Sequence, residues 1–376
     1  MSELTAEDLE LLRDTAARFF DEQMPITALR TLRDEGDETG FDRSQWREMA
    51  EMGWAGILLD ESYGGTALGY AALGVILEES GRTLAASPLV STVLLGAQAI
   101  ARAGSIAQRE DLLPGVTSGT TILALAHEES TRHAPHQIAT RAVKSGDNYV
   151  LKGRKIFVLD GHVADHLIVV ARNNGENDDR EGISLFLVAA NAPGIKRNRT
   201  ILVDGRNAAN IEFSDVTASA LGTIGNGFDI LEPILDGARA SLAAEMLGTA
   251  NEAFDQTIEY LKVREQFGAQ IGSFQALKHR AAEMYCKIEL ARASAYAALA
   301  EIDAAGPESA QLASIAKTKA CDMLELVSSE AVQMHGGIGM TDAADAGLFL
   351  KRARVAQQIF GDALYHRDRY ANLIGI

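Results

Sequence analysis

The chain has 376 residues, 47% of them hydrophobic, enough for two or three packed domains. Lys and Arg number 35 against 52 Asp and Glu, a net charge of -17, which argues against a nucleic-acid surface and against binding to anionic lipid. A membrane span of about 18 apolar residues is absent, and Glu3, Glu7, Asp8 and Glu10 stand where a leader would be basic and then apolar, so the expectation is a cytoplasmic protein without membrane insertion.

Thr5 is placed to cap a helix whose Leu9, Leu12, Ala16, Phe19 and Phe20 share one face. A second helix is expected from Asp42 through Trp46, Met49 and Met52 to Gly53, and two more over 67–82 and 89–103 on either side of Pro88. From Thr121 the period shortens. Thr121–Ala126, Ile138–Val143, Asn148–Leu151, Lys155–Leu159, His166–Ala171, Ile183–Val188, Ile195–Ile201 and Ile211–Phe213 read as strands of an antiparallel sandwich or small barrel. Pro233, expected in the first turn of a helix, marks the return to helices. The fold class is therefore α+β and multidomain, with boundaries expected at 1–119 (helical), 120–227 (β) and 228–376 (helical). Cys286 and Cys321 lie in Ala-rich helical surroundings without CxxC spacing and read as buried thiols.

The most informative run is Tyr260–Gln275. A helical stripe of Leu242, Met246, Ala250, Phe254, Ile258 and Leu261 leads into it, so Arg264, Gln266 and Phe267 are expected on the last turn. Gly268 and Gly272 bracket a reversal, and Ser273 suits the N-cap of the next helix. A guanidinium, an amide and an aromatic ring at one corner suit an anionic, partly planar ligand. The glycines of Gly336-Gly-Ile-Gly339 follow a helix, where a dinucleotide fingerprint needs a strand, and read instead as a tight loop that lets a ligand approach bare backbone.

Four motifs in order, Leu59-Asp-Glu-Ser-Tyr-Gly-Gly65, Lys155-Ile-Phe-Val-Leu-Asp-Gly161, Arg264-Glu-Gln-Phe-Gly268 with Phe274-Gln275, and Gln333-Met-His-Gly-Gly-Ile-Gly339, make the chain resemble the acyl-CoA dehydrogenases over essentially its whole length. The resemblance implies an N-terminal helical domain, a central β-domain and a C-terminal four-helix bundle. It also implies FAD held across a subunit interface, an acyl-CoA substrate and electron-transfer flavoprotein as acceptor. By that likeness Arg264 pairs with the FAD pyrophosphate of a neighbouring subunit, and Gln266, Phe267 and Gln275 flank the cofactor. Gln333, Gly336 and Gly337 meet its adenosine end, and Phe157 stands where the family often has a tryptophan beside the flavin. Asp236 and Arg239 fall where the family contacts the pantetheine arm and thioester.

Three departures accompany the likeness. Both positions the family uses for the glutamate base are changed, to Gly361 and Ala238. Asp362 is the nearest carboxylate, readable either as a displaced base or as a helix cap. Leu159 replaces the threonine that hydrogen-bonds the flavin, and His127-Glu-Glu-Ser-Thr-Arg-His-Ala-Pro-His136 replaces the loop along flavin and substrate. His127, Glu128, Glu129, His133 and His136 read here as a mobile polar loop, with no metal expected. Three functions stay open: FAD-dependent oxidation of an acyl-CoA at Cα–Cβ to the 2-enoyl-CoA with a non-standard base, in a homotetramer; a base-lacking FAD-interface subunit of an α2β2 heterotetramer, similar to steroid side-chain dehydrogenases; or a flavin oxidase or monooxygenase on the same fold.

Overall fold

The computed structural model describes residues 4–376. Its α-helices are α1 (Ala6–Gln23), α2 (Ile26–Glu35), α3 (Arg43–Glu51), α4 (Gly69–Arg82), α5 (Gln98–Ala103), α6 (Ile106–Thr117), α7 (Gly227–Val263), α8 (Gln275–Asp303), α9 (Ser309–His335), α10 (Ala346–Gln358) and α11 (Ala363–Leu373). Its strands are β1 (Leu123–Ala126), β2 (Arg141–Ser145), β3 (Asn148–Leu159), β4 (His166–Arg172), β5 (Ile183–Ala189), β6 (Ile195–Ile201), β7 (Asn207–Leu221), β8 (Glu265–Gln266) and β9 (Ala269–Gln270). Among the described residues no helix is long and apolar enough to cross a membrane.

Local chemistry sets the helix starts. Thr5 and Asp8 form a capping box on α1, and Asp42 caps α3 by accepting from the Ser44 and Gln45 amides. The pattern over 89–103 is helical throughout but π-helical across Leu89–Ala97 before α5 begins. Pro233 departs from expectation: α7 already begins at Gly227, so the proline lies inside the helix, on an exposed position where a missing donor is cheap. α2 buries only Leu29, too weak an apolar stripe to stand out by period.

By packing, the chain divides into two compact units, one of Leu32–Gly69 with Ala86–Ala238, the other of residues up to Thr31, Tyr70–Ala85 and Arg239–Ile376. In the first, the pairings β4–β2–β3–β7–β5–β4 close a ring, with β1 added beside β4 and β6 beside β7. Most pairings are antiparallel, but β1 and β2 each run parallel to β4, so the sheet is mixed. The two short segments expected at 148–151 and 155–159 are one strand, β3, broken in register by bulges after Leu151 and Lys155. The π-helix is tied to the sheet because Thr92 Oγ1 both donates to the Leu123 carbonyl (3.2 Å) and accepts from its amide (3.1 Å).

Asp160 follows β3 in the left-handed region (φ 51°), and its carboxyl accepts from Ser91 Oγ at 2.5 Å. Burial pushes its pKa up to about 6 against the opposing pull of Ser91 and Arg206. A carboxyl with a folded pKa above its unfolded value favours the folded state only while protonated, so its contribution falls as pH rises from about 4 to about 6. Asp160→Asn keeps the left-handed preference and an acceptor for Ser91. It is expected to raise stability at pH 7.5 by on the order of 1 kcal/mol, with the gain gone near pH 4 in parallel urea titrations; a gain of equal size at both pH values would rule the charge out as its cause.

In the second unit α9 packs on α8, α10 and α11. Backbone approach between α4 and α7 is closer than any side chain allows: a Cβ on Gly81 would meet the Glu245 carbonyl at 2.1 Å, and one on Gly248 the Glu78 carbonyl at 1.7 Å. Ala243 and Ala244 sit fully buried beside this crossing, and Glu245 is a structural carboxylate paired with buried Arg352 at 3.2 Å. Cys321 is buried, whereas Cys286 is exposed on α8, contrary to the expectation of two buried thiols. An Ala-rich neighbourhood fits either side of a helix.

Candidate cofactor site and base loop

α7 ends at Val263, one residue before Arg264, so Arg264, Gln266 and Phe267 do not ride its last turn as expected. The chain turns instead into a two-residue hairpin, with Glu265 opposite Gln270 and Gln266 opposite Ala269. Its tip, Phe267-Gly268, has φ of 57° and 76°, both left-handed as a type I′ turn requires. Gly268 takes this without strain; Phe267 does not, and its ring is 93% exposed. Phe274 meets that ring edge-on at 6.3 Å. Ser273 is not an N-cap: its hydroxyl donates to the Gln270 carbonyl at 2.6 Å, and α8 starts at Gln275 without a side-chain cap. The Arg264 guanidinium is exposed, with no carboxylate partner among the described residues.

The second glycine motif reaches the same end of this unit. Tyr260, one turn before Arg264, stacks on His335 with ring centroids 4.5 Å apart, linking the C-terminal ends of α7 and α9. Beyond His335 the chain leaves α9 through Gly336, with φ 64° and ψ -138°, a combination open only to glycine. A Cβ at Gly336 or Gly337 would meet nothing within 4 Å, and Gln333 and Gln275 are exposed. The corner thus gathers one uncommitted cation, three amides, an upright aromatic ring and open glycine backbone. That donor set fits a diphosphate carrying ring systems.

The segment Phe360-Gly361-Asp362, where the resemblance places the family's base, is shaped quite differently. Phe360 and Gly361 have φ of 60° and 100°. The Gly361 carbonyl accepts from buried Lys317 Nζ at 2.9 Å, and the Phe360 carbonyl from His366 Nε2 at 3.0 Å and Arg239 Nε at 3.4 Å. Burial, then Arg239 and Lys317, hold His366 neutral well below its usual range, and burial likewise lowers Lys317. Arg239 is fully buried, with its guanidinium over the Tyr365 ring at 5.7 Å, so it positions this loop. Asp362 accepts from the Tyr365 amide at 2.8 Å as the N-cap of α11. Ala238 and Asp236 are buried within α7.

In the first unit Phe157 sits in the β3 bulge with φ 53°, half-buried, and Leu159 is buried two residues on. The loop after β1 is more ordered in its contacts than a solvated polar loop. Glu129 accepts from Lys155 Nζ at 2.6 Å and from the Ala139 and Thr140 amides. His127, Glu128 and His133 converge, their ligand atoms all within 4.8 Å of one another. His136 is not part of that group; its carbonyl is held by Arg172. Spacing along a loop carries no signal for this convergence, which depends on how the loop closes. Lys155 had a signal that sequence reasoning passed over, a lysine directly followed by the apolar run Ile156-Phe-Val-Leu159.

Comparison with known proteins agrees with the motif order. Family profiles match at residues 6–120 (acyl-CoA dehydrogenase, N-terminal domain), 124–216 (middle domain) and 225–374 (C-terminal domain). A short-chain-specific acyl-CoA dehydrogenase from Megasphaera elsdenii is 33% identical over 86% of this chain and 88% of its own length. Subunit CarC of a caffeyl-CoA reductase-Etf complex from Acetobacterium woodii is 30% identical over 89% of each. Among solved structures, a variant of the Tcur3481-Tcur3483 steroid ACAD is 35% identical, with a TM-score of 0.89 and 98% of each chain covered.

Proposed function

The chain belongs to the acyl-CoA dehydrogenase family of FAD-dependent oxidoreductases, and from that premise we propose that it is the FAD-clamping, base-lacking subunit of a heterotetrameric dehydrogenase that desaturates bulky acyl-CoA thioesters, steroid-derived ones first. The observation that carries this is the segment Phe360-Gly361-Asp362. Its one carboxylate caps α11, and its glycine is held in a left-handed conformation by Lys317. The likeness to a steroid ACAD whose name joins two designations supports the reading and its substrate class.

In this reading Arg264 pairs with the pyrophosphate of FAD held by a neighbouring subunit, Gln266, Phe267 and Gln275 border that cofactor, and Gln333, Gly336 and Gly337 receive its adenosine end. Phe157 and Leu159 form an apolar wall. Bound FAD supplies the acceptor for the β-hydride. Asp236 and Arg239 shape the thioester side, Arg239 acting through the Phe360 carbonyl. The α-proton goes to a carboxylate on the partner chain. The domain boundaries at 119 and 227, a cytoplasmic site of action and electron-transfer flavoprotein as acceptor belong to the same proposal, the last supported by the likeness to CarC.

Anaerobic mixing with a panel of acyl-CoAs tests it. The purified chain is expected to carry FAD and to stay yellow, bleaching only when a co-expressed partner chain is present. Bleaching of the chain alone that Asp362→Asn abolishes would return the base to Asp362.

A further inference from the structure

The loop after β1 holds a group of side chains that the flavin reading does not use. His127 Nε2 lies 3.1 Å from Glu128 Oε1, and His133 Nδ1 contacts that same oxygen. The two imidazoles stand edge to face, with centroids 6.1 Å apart and planes at 80°, so that a nitrogen of each is turned to one carboxylate oxygen. The three side chains are 6%, 11% and 4% exposed, a degree of burial uncommon for polar groups in a surface loop.

The backbone that carries them is fixed on both sides. Lys155 Nζ donates to the His127 carbonyl at 3.1 Å and to Glu129 at 2.6 Å, and the Ile156 amide donates to the Glu128 carbonyl at 2.9 Å. The Lys155–Glu129 pair also cancels the nearest positive charge. The group at the centre then carries one carboxylate and two imidazoles.

We propose that His127, Glu128 and His133 form a binding site for a divalent first-row transition-metal ion, zinc foremost. Two imidazoles and one carboxylate are the donor set of open zinc sites, in which a fourth position is left for water or ligand. Ligands about 2.0–2.1 Å from a tetrahedral ion stand roughly 3.3 Å from one another. The His127–Glu128 separation, 3.1 Å, is close to that value, and the ligand atoms all lie within 4.8 Å of one another. Entry of the ion requires that the His133 ring withdraw from the shared oxygen and that the wider ligand separations close. Calcium and magnesium are disfavoured because they take oxygen ligands, whereas two of the three donors here are nitrogens. All three ligands come from one loop of one chain, so the site needs no residue of a partner.

The test uses the purified protein with whatever flavin and partner it carries, stripped with EDTA, dialysed and titrated with Zn²⁺ by calorimetry, with metal content measured after desalting. About one Zn²⁺ per chain is expected, with a dissociation constant on the order of micromolar or tighter. Glu128→Gln and His133→Asn are each expected to weaken binding about a hundredfold, while His136→Asn, in the same loop but outside the group, leaves it unchanged. Absence of stoichiometric zinc, or equal binding by all variants, overturns the site. Should a variant fail to fold, X-ray absorption of the zinc-loaded wild type decides: two imidazoles with an oxygen near 2.0–2.1 Å sustain the site, and a shell of oxygens alone removes it.

Discussion

Arg264→Ala is expected to lower FAD affinity by about 30- to 100-fold, equivalent to roughly 2–3 kcal/mol for one charge-assisted guanidinium–phosphate contact. Arg264 is exposed on a short hairpin and lacks a carboxylate partner among the described residues, so its removal leaves no buried charge behind. The effect on folding is therefore expected to be small, within about 0.5 kcal/mol. That separates a cofactor contact from a structural arginine. Arg264→Lys keeps the charge but loses the planar fork, and an intermediate affinity is expected. The measurement is the FAD-to-protein ratio after gel filtration, together with assembly state by ultracentrifugation. A variant that keeps full FAD and its assembly state would sink the assignment. Phe267→Ala provides a companion: its ring is 93% exposed at a left-handed position and met edge-on by Phe274, so its loss is expected to lower FAD retention with little effect on folding.

The sequence carried this corner further as chemistry than as geometry. Arg264, Gln266 and Phe267 are proposed as a ligand-binding set on residue type and likeness alone, and helical period extends α7 through them where the chain in fact turns into a hairpin. What ends the helix is a two-residue turn whose first member is phenylalanine, and turn preferences point to glycine, asparagine or aspartate at such a place. The strand β6 coincides with its expected bounds, Ile195–Ile201, set between the turn residues Pro193-Gly194 and Asp204-Gly205. β7 does not: Asn207–Leu221 exceeds the expected Ile211–Phe213 because small residues such as Ala208, Ala209 and Ala218 are buried in a strand with little β-propensity. The base loop shows the opposite balance. That a glycine stands at 361, where the resemblance expects a glutamate, is legible in the sequence, but the left-handed backbone and its grip by Lys317 come from contacts across many residues.

Removal of one carboxylate from the second unit is expected to have the largest effect on stability. Glu78, 2% exposed on α4, accepts from Arg13 at 3.1 Å, Arg292 at 2.7 Å, Asn251 at 3.1 Å and the Tyr296 hydroxyl. It thus joins α1, α4, α7 and α8 through one side chain. Burial, and then the charge of Glu78, push the Tyr296 hydroxyl up, so it remains a neutral donor. Glu78→Ala removes the carboxylate shared by Arg13 and Arg292, which keep Glu79 at 2.6 Å and Glu289 at 3.3 Å respectively, and takes this acceptor from Asn251 and Tyr296. Loss of one partner of a buried pair costs about 3–5 kcal/mol, and because Arg13 and Arg292 keep part of their surface in water the lower end, about 3 kcal/mol, applies. At roughly 2–4 °C per kcal/mol the midpoint should fall by about 6–12 °C. Glu78→Gln keeps the shape and one acceptor and should lose less. Because α8 follows the hairpin that presents Arg264 after the single turn Ile271–Ser273, a loosened α8 should also weaken FAD retention, and Glu78→Ala is expected to release the flavin before the protein unfolds. Coincident loss of flavin and fold on heating would show instead that the hairpin depends on the unit as a whole.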